Sequence, residues 1–146
     1  MTSAPFYASG LKFTCKRCST CCRYEPGFVF LSENDLKKLT AQLKMDKNSF
    51  TKTYCRWVKD SNGKEALSLK EKSNYDCILW NNGCLVYYAR PLQCWTFPFW
   101  DSVVSTAQTW NITASGCPGM NKGTTYTGSM IGEYLKMRVS EPIINR

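Results

Sequence analysis

The sequence contains no histidine among its 146 residues. A chain without histidine cannot build a Ser-His-Asp triad, a Cys-His catalytic pair, or a zinc site of the H-E-x-x-H or mixed Cys/His kind. It also lacks the Gly-rich phosphate loop in either of its standard spacings. These absences exclude several common classes of catalytic and nucleotide-binding site.

Long apolar runs are also missing. The longest stretches, such as Leu85 to Ala89, fall far short of the roughly 20 residues that cross a bilayer. Residues 1–10 have neither a basic residue nor the continuous apolar segment of a secretory signal. We therefore expect a cytoplasmic protein that does not act on membranes. Thiols stay reduced in the cytoplasm, so clustered cysteines there indicate metal or redox chemistry more often than disulfides.

Length and composition predict one folded domain over residues 1–146. A chain of this size with 43% hydrophobic residues can bury a core, which excludes intrinsic disorder. The formal net charge is +8, and residues 1–72 carry 14 basic and 7 acidic side chains. This half could bind nucleic acid or an acidic partner, although a solvated helical surface is the interpretation we favour.

The hydrophobic periodicity changes along the chain and predicts an α+β fold. We expect a small single domain with two or three helices and short β-hairpins, organised around a Cys-rich metal site. The expected elements are a helix over 33–45 capped by Ser32, a shorter helix with Phe50, Tyr54 and Cys55, a hairpin over 56–69, a second hairpin over 77–87, an irregular segment over 91–120 with strands near 102–113, and a helix over 129–139.

Nine cysteines are the most informative feature that is present, and an odd number disfavours a framework of disulfides alone. Four of them form the motif Cys15-x-x-Cys18-x-x-Cys21-Cys22. Two cysteines separated by two residues can converge on one ion, as in structural zinc sites. Three cysteines, each separated from the next by two residues, also match the loop around a cubic iron–sulfur cluster. The fourth cysteine of such a cluster is remote in sequence and often precedes proline. Cys117-Pro118 has that form. The motif therefore indicates a metal site but does not identify the metal.

The adjacent pair Cys21 and Cys22 favours two metal centres. Neighbouring side chains diverge, so both can bind one ion only in an irregular loop. Eight of the nine cysteines divide into two sets of four. One partition places Cys15, Cys18, Cys21 and Cys117 in the first set and Cys22, Cys77, Cys84 and Cys94 in the second.

The second hairpin bears on the kind of metal. With Asn82-Gly83 as its turn, residue 81 pairs with residue 84, and Cys77 and Cys84 share a face. A regular ladder rises about 3.3 Å per residue, which leaves the two cysteines too far apart for one small ion. Either the hairpin is irregular or the cysteines bind a larger cluster. The spacing favours an iron–sulfur cluster, or two nearby ions, over a single zinc.

Cys55 has no partner at a metal-ligand spacing. We interpret it as a small buried apolar residue. A ninth ligand or a redox-active thiol is the alternative.

The residues described above occur in a characteristic order. They resemble the YkgJ-type cysteine-cluster family, the CxxCxxCC proteins described as zinc- or iron-chelating domains, over residues 13–120. The features that carry the resemblance are the CxxCxxCC motif, Ser32-Glu33-x-Asp35, the Cys77–Cys84 pair, Arg90-Pro91-x-x-Cys94-x-x-Phe97-Pro98-Phe99 and Cys117-Pro118-Gly119. The resemblance implies the metal ligands Cys15, Cys18, Cys21, Cys22, Cys77, Cys84, Cys94 and Cys117. One departure is Trp95, which follows Cys94 where the family usually has arginine. If that arginine offsets thiolate charge or meets an anionic substrate, Arg90 must serve alone here, or the function has drifted.

These features lead to one preferred function and one alternative. The preferred function is an iron–sulfur protein, with a 4Fe-4S cluster favoured over iron alone, that transfers electrons or serves as a redox component beside a protein partner. The alternative is a zinc-stabilised, non-catalytic interaction module whose basic half binds nucleic acid or an acidic partner. A stand-alone enzyme is least favoured because no histidine is available as a base. The aromatic residues Trp95, Phe97, Phe99 and Trp100 are expected to shield a cluster from water rather than to stack on bases.

Overall fold

The structure is a computed structural model that describes residues 4–15, 28–81 and 83–146. Its contacts divide this part of the chain into two compact units. The described residues of the first unit are 4–15 and 96–140, and those of the second are 28–95, without residue 82, and 141–146.

The second unit begins with two helices whose ends are set by local capping. Helix α1 spans Glu33–Leu43. A capping box starts it: the Ser32 hydroxyl accepts from the Asp35 N–H, and the Asp35 carboxylate accepts from the Ser32 N–H. Helix α2 spans Lys47–Tyr54 and begins after Asp46, whose carboxylate accepts from the Ser49 N–H. Both helices confirm the expectation from sequence.

A hairpin follows, as predicted. Strands β2, Cys55–Lys59, and β3, Glu65–Leu69, pair antiparallel, with Cys55 opposite Leu69 and Lys59 opposite Glu65. The expectation that Cys55 lies on α2 is wrong. Its N–H still donates to the Thr51 carbonyl at the end of the helix, but its backbone is already extended and paired with β3.

The core of this unit is made by apolar side chains from the helices, the hairpin and the loops that follow. Its buried members are Leu31, Leu36, Leu39, Phe50, Cys55, Leu67, Leu69, Leu79 and Val86.

The second predicted hairpin is not a regular ladder. Residues 77–87 contain an isolated bridge between Trp80 and Cys84, turns at 78–79 and 85–86, and a short 3-10 helix over Tyr87–Ala89. The predicted pairing of residue 81 with residue 84 is therefore wrong by one residue. The reason lies in the backbone, because the Asn81 N–H donates to the Gly83 carbonyl at 2.8 Å, and residue 81 is therefore part of the loop between the bridged Trp80 and Cys84.

The first unit is built on a strand pair that the sequence did not predict. Strand β1, Leu11–Phe13, pairs antiparallel with β4, Met120–Tyr126, and the register shifts between Lys12, opposite Thr125, and Phe13, opposite Met120. Five of the seven residues of β4 are exposed, so the strand has no alternating apolar pattern by which it could be recognised.

Helices occupy the region where strands near 102–113 were expected. Helix α3 spans Leu92–Thr96, α4 spans Asp101–Val104 and α5 spans Ala107–Ala114. The strand prediction is wrong because β-branched residues raised the strand propensity, whereas Thr106 and Thr109 form a capping box that starts α5. The final helix, α6, spans Gly128–Ser140 and confirms the expectation for 129–139.

The core of the first unit is largely aromatic, and its buried members are Phe13, Phe99, Val103, Val104, Trp110, Met120 and Ile131. The helices and the two antiparallel strand pairs together confirm the α+β class. None of the helices in the described part of the chain is long and apolar enough to span a membrane.

Candidate metal centre

Five of the eight predicted ligands lie within the described residues. Cys15 is exposed, whereas Cys77, Cys84, Cys94 and Cys117 are half-buried. The other three, Cys18, Cys21 and Cys22, lie outside those residues. Among residues 4–15, 28–81 and 83–146, no three Cys, Asp or Glu side chains converge on a common point that could hold an ion.

The pairing of β1 with β4 brings the surroundings of Cys15 and Cys117 together. The Thr14 N–H donates to the Gly119 carbonyl at 3.1 Å. Cys15 follows Thr14 directly, and Cys117 precedes Gly119 by two residues. The two cysteines therefore start from neighbouring points of the backbone. This placement agrees with their assignment to one ligand set.

Two glycines make this close approach possible. A Cβ on Gly119 would collide with the carbonyl oxygen of Thr14, and a Cβ on Gly123 would collide with the Thr14 hydroxyl. Gly123 also has a φ of +78°, which favours glycine. The Thr14 hydroxyl accepts from the Thr124 N–H at 2.9 Å, so the residue before Cys15 is held on both sides.

Cys117 lies in a turn beside the aromatic core of the first unit. Its N–H donates to the Ala114 carbonyl and its carbonyl accepts from the Met120 N–H, both at 3.2 Å. Its side chain packs against the core, in which Phe13 meets Phe97 and Phe99 edge to face. Phe99 is only 2% exposed, so it cannot serve as a platform for base stacking.

Cys77 and Cys84 each have a backbone contact with Trp80 in the second unit. The Trp80 N–H donates to the Cys77 carbonyl at 2.8 Å, and Trp80 also forms the bridge with Cys84. Both cysteines pack at the edge of the core of this unit. Together with Cys94, these two cysteines do not converge on a common point in the described part of the chain.

Cys94 lies in the middle of α3, where its N–H donates to the carbonyl of Pro91 at 2.9 Å. The preceding Arg90 is engaged with Tyr87. Its Nε donates to the Tyr87 carbonyl at 2.8 Å, and its guanidinium carbon lies 4.0 Å from the centre of the Tyr87 ring.

Cys55 is separate from these pairs. It is 6% exposed within the core of the second unit, and burial raises the pKa of its thiol to about 12. A thiol that remains protonated is a poor metal ligand and a poor nucleophile. Its burial confirms the interpretation as a small apolar residue.

The lysines on and beside α1 and α2 belong to a solvated surface. Lys37, Lys44 and Lys52 are exposed. Lys47 pairs with Glu33 at 3.2 Å, which neutralises part of the positive face.

Two residues beside Cys15 that fix the backbone were missed by the sequence reasoning, namely Thr14 and Gly123. Gly119 was noted only as part of the motif that ends at Cys117. Nothing local distinguishes Thr14 or Gly123, because each acts through a contact more than 100 residues away in the sequence.

The donor set fits a metal-binding role. Thiolates are ligands for both zinc and iron, and two pairs of candidate cysteines are each held within one unit. The fold is thus that of a small α+β protein, and its described cysteines are candidate thiolate ligands.

The family model described as "CxxCxxCC: Putative zinc- or iron-chelating domain" matches residues 14–118, well over half of the chain. The protein belongs to this family, and its general function is metal binding. No solved structure matches the chain.

Proposed function

We propose that the protein holds iron as an iron–sulfur cluster, through cysteines that act as two ligand sets. The first set is Cys15, Cys18, Cys21 and Cys117, and the second is Cys22, Cys77, Cys84 and Cys94. The observation that carries the proposal is the hydrogen bond of Thr14 with Gly119, which joins the residue before Cys15 to the residue two positions after Cys117.

The surroundings of Cys117 favour a cluster over a single ion in the first set. Cys117 precedes proline, as the remote ligand of a cubic cluster often does. It packs beside the aromatic core, where Phe13 and Phe99 are buried and exclude water. Burial of this kind is one of the means by which a protein sets the reduction potential of a cluster.

A bound cluster would supply a one-electron carrier. The residues of this chain would supply thiolate ligands, an apolar flank at Cys117 and fixed backbone at Thr14 and Gly119. We therefore propose electron transfer, or a redox step in a larger assembly, with a protein redox partner in the cytoplasm. A separate catalytic residue is not required for this function.

A zinc-stabilised interaction module is the second candidate, and the backbone contacts that Cys77 and Cys84 share with Trp80 favour it. Both cysteines adjoin Trp80, so two thiolates on one short loop could bind a single tetrahedral ion. In this function the metal fixes the loops, and the exposed lysines of α1 and α2 meet an acidic partner or nucleic acid.

Visible absorption and electron paramagnetic resonance of the protein purified without oxygen separate the two functions. We expect a brown protein whose absorption is bleached by dithionite. Cys117→Ser should lose much of this absorption, and Cys55→Ser should keep it, because Cys55 lies in the core with its proton retained. A colourless wild-type protein with bound zinc would refute the iron–sulfur proposal.

A further inference from the structure

The buried carboxylate of Asp35 links α1 to the segment that carries Cys94. Its Oδ2 accepts from the Ser32 N–H at 2.9 Å, and its Oδ1 accepts from the Leu92 N–H, also at 2.9 Å. Leu92 is the first residue of α3 and lies two residues before Cys94. The first N–H groups of a helix have no acceptor within the helix. Asp35 provides one from a distant part of the sequence, and its side chain is 0% exposed.

A second contact holds the same segment from α1. The Lys38 ammonium donates to the Arg90 carbonyl at 3.3 Å and lies 4.0 Å from the Asp35 carboxylate. Pro91, between these two attachment points, is buried. Residues 90–92 are therefore fixed against α1 immediately before Cys94.

The side chain of Gln93 makes a third connection. Its Oε1 accepts from the Phe30 N–H at 3.0 Å, and its Nε2 donates to the Phe28 carbonyl at 2.8 Å. The amide thus binds the backbone of residues 28–30 as a paired strand would. Gln93 is adjacent to Cys94, and Phe28 is the first described residue after the CxxCxxCC motif.

We propose that Asp35 and Gln93 are positioning residues that hold Cys94 for metal binding. Both polar groups of the Gln93 amide are used on backbone near the motif, whereas a residue serving only the core would be apolar. Because the contacts hold the backbone next to Cys94 before metal arrives, the cost of ordering this one ligand is already met. The inference rests on the proposed role of Cys94 as a ligand.

Cobalt titration of the metal-free protein tests this inference. Co²⁺ bound to thiolates absorbs visible light, so both the number of sites and their affinities can be read for each set. The test variant is Gln93→Met, which keeps the side-chain length and removes both hydrogen bonds. Gln93→Glu retains the acceptor for Phe30, and Gln42→Met, on the exposed surface of α1, is the matched control.

We expect Gln93→Met to weaken one of two cobalt sites about tenfold, within the range found for residues that orient metal ligands. Gln93→Glu should lie between this variant and the wild type. In Gln93→Met, the other cobalt site, which is the one lost in Cys117→Ser, should keep its affinity. The melting temperature of metal-free Gln93→Met should match that of metal-free Gln42→Met.

Two cobalt sites of wild-type affinity in Gln93→Met would overturn the inference and leave the proposed function intact. Equal weakening of both sites together with a lower melting temperature would overturn it as well, since the role would then be structural. If Gln93→Met does not fold, wild-type affinity in Gln93→Glu at both sites decides against the inference. A wild-type protein that binds no cobalt would overturn the inference, whereas the proposed function is decided by the iron and sulfide content of the purified protein.

Discussion

Replacing Gly119 by alanine tests whether the contact with Thr14 organises the first ligand set. The added Cβ would collide with the Thr14 carbonyl oxygen and would lie 3.0 Å from its carbonyl carbon. Because both atoms belong to backbone, neither can turn away as a flexible side chain could. Thr14 must shift, and its hydrogen bond to the Gly119 carbonyl, 3.1 Å long, is lost.

The expected loss of stability follows from these two effects. A hydrogen bond of this kind contributes about 1 kcal/mol, and an added methyl group in a packed site costs about 1–3 kcal/mol. We expect Gly119→Ala to lower the free energy of unfolding of the metal-free protein by about 2–4 kcal/mol. The same shift moves Cys15 away from Cys117, so the iron content of the purified protein should fall.

Urea unfolding followed by circular dichroism measures the first effect, with the free energy extrapolated to water. Gly132→Ala in α6 is the matched control, because nothing in the described part of the chain lies within 4 Å of its added Cβ. At this helical position alanine should stabilise the protein by about 0.4–1 kcal/mol. Equal stability of the two variants, with equal iron content, would refute the reasoning.

Three further variants test individual contacts. Burial raises the pKa of Cys55 to about 12 from an ordinary value of 9.0. Because the unfolded chain releases the thiol proton first, the free energy of unfolding should fall as the pH rises through this interval. Cys55→Ala should remove this decline, measured by urea unfolding at a series of pH values. Hydrogen bonds from the Ser49 N–H and hydroxyl hold the pKa of Asp46 below 3.8, so its contribution is present above pH 3.8 and lost as the pH falls through the lower folded value. Asp46→Asn should weaken this acid dependence, measured by circular dichroism. Trp110→Phe removes the 2.9 Å bond from Nε1 to the Asn121 side chain and should cost about 1–3 kcal/mol in urea unfolding; no loss would show that the bond is not stabilising.

Local signals in the sequence predicted the local parts of the fold. Ser32 was predicted as a helix cap, and Asp46 or Asn48 could cap the second helix by its residue type; in the structure Ser32 and Asp46 each bond a residue three positions away. The turn over 60–63 was recognisable because Asp60 accepts from the N–H groups of Asn62 and Lys64, and Gly63 supplies a positive φ.

Contacts between distant residues were not predictable in the same way. The polar strand β4 pairs with β1 across more than 100 residues and shows no apolar alternation. In α5, Thr106 and Thr109 favour a strand by propensity but form a capping box in the structure.

The same distinction between local and distant signals applies to the candidate site. Spacing and the family resemblance identified the cysteines, whose predicted ligand sets remain to be tested. The supports of Cys15 and Cys94 could not be read from the sequence, because the acceptor for Leu92 is Asp35, 57 residues earlier. A side chain that acts by holding backbone has no spacing motif.

The central claim is that the cysteines of this protein hold an iron–sulfur cluster. Its most direct test is the amount of iron, acid-labile sulfide and zinc per chain after purification without oxygen. The account predicts several iron atoms with an equal number of sulfides and little zinc. Stoichiometric zinc without sulfide would contradict it and would leave a zinc-stabilised interaction module.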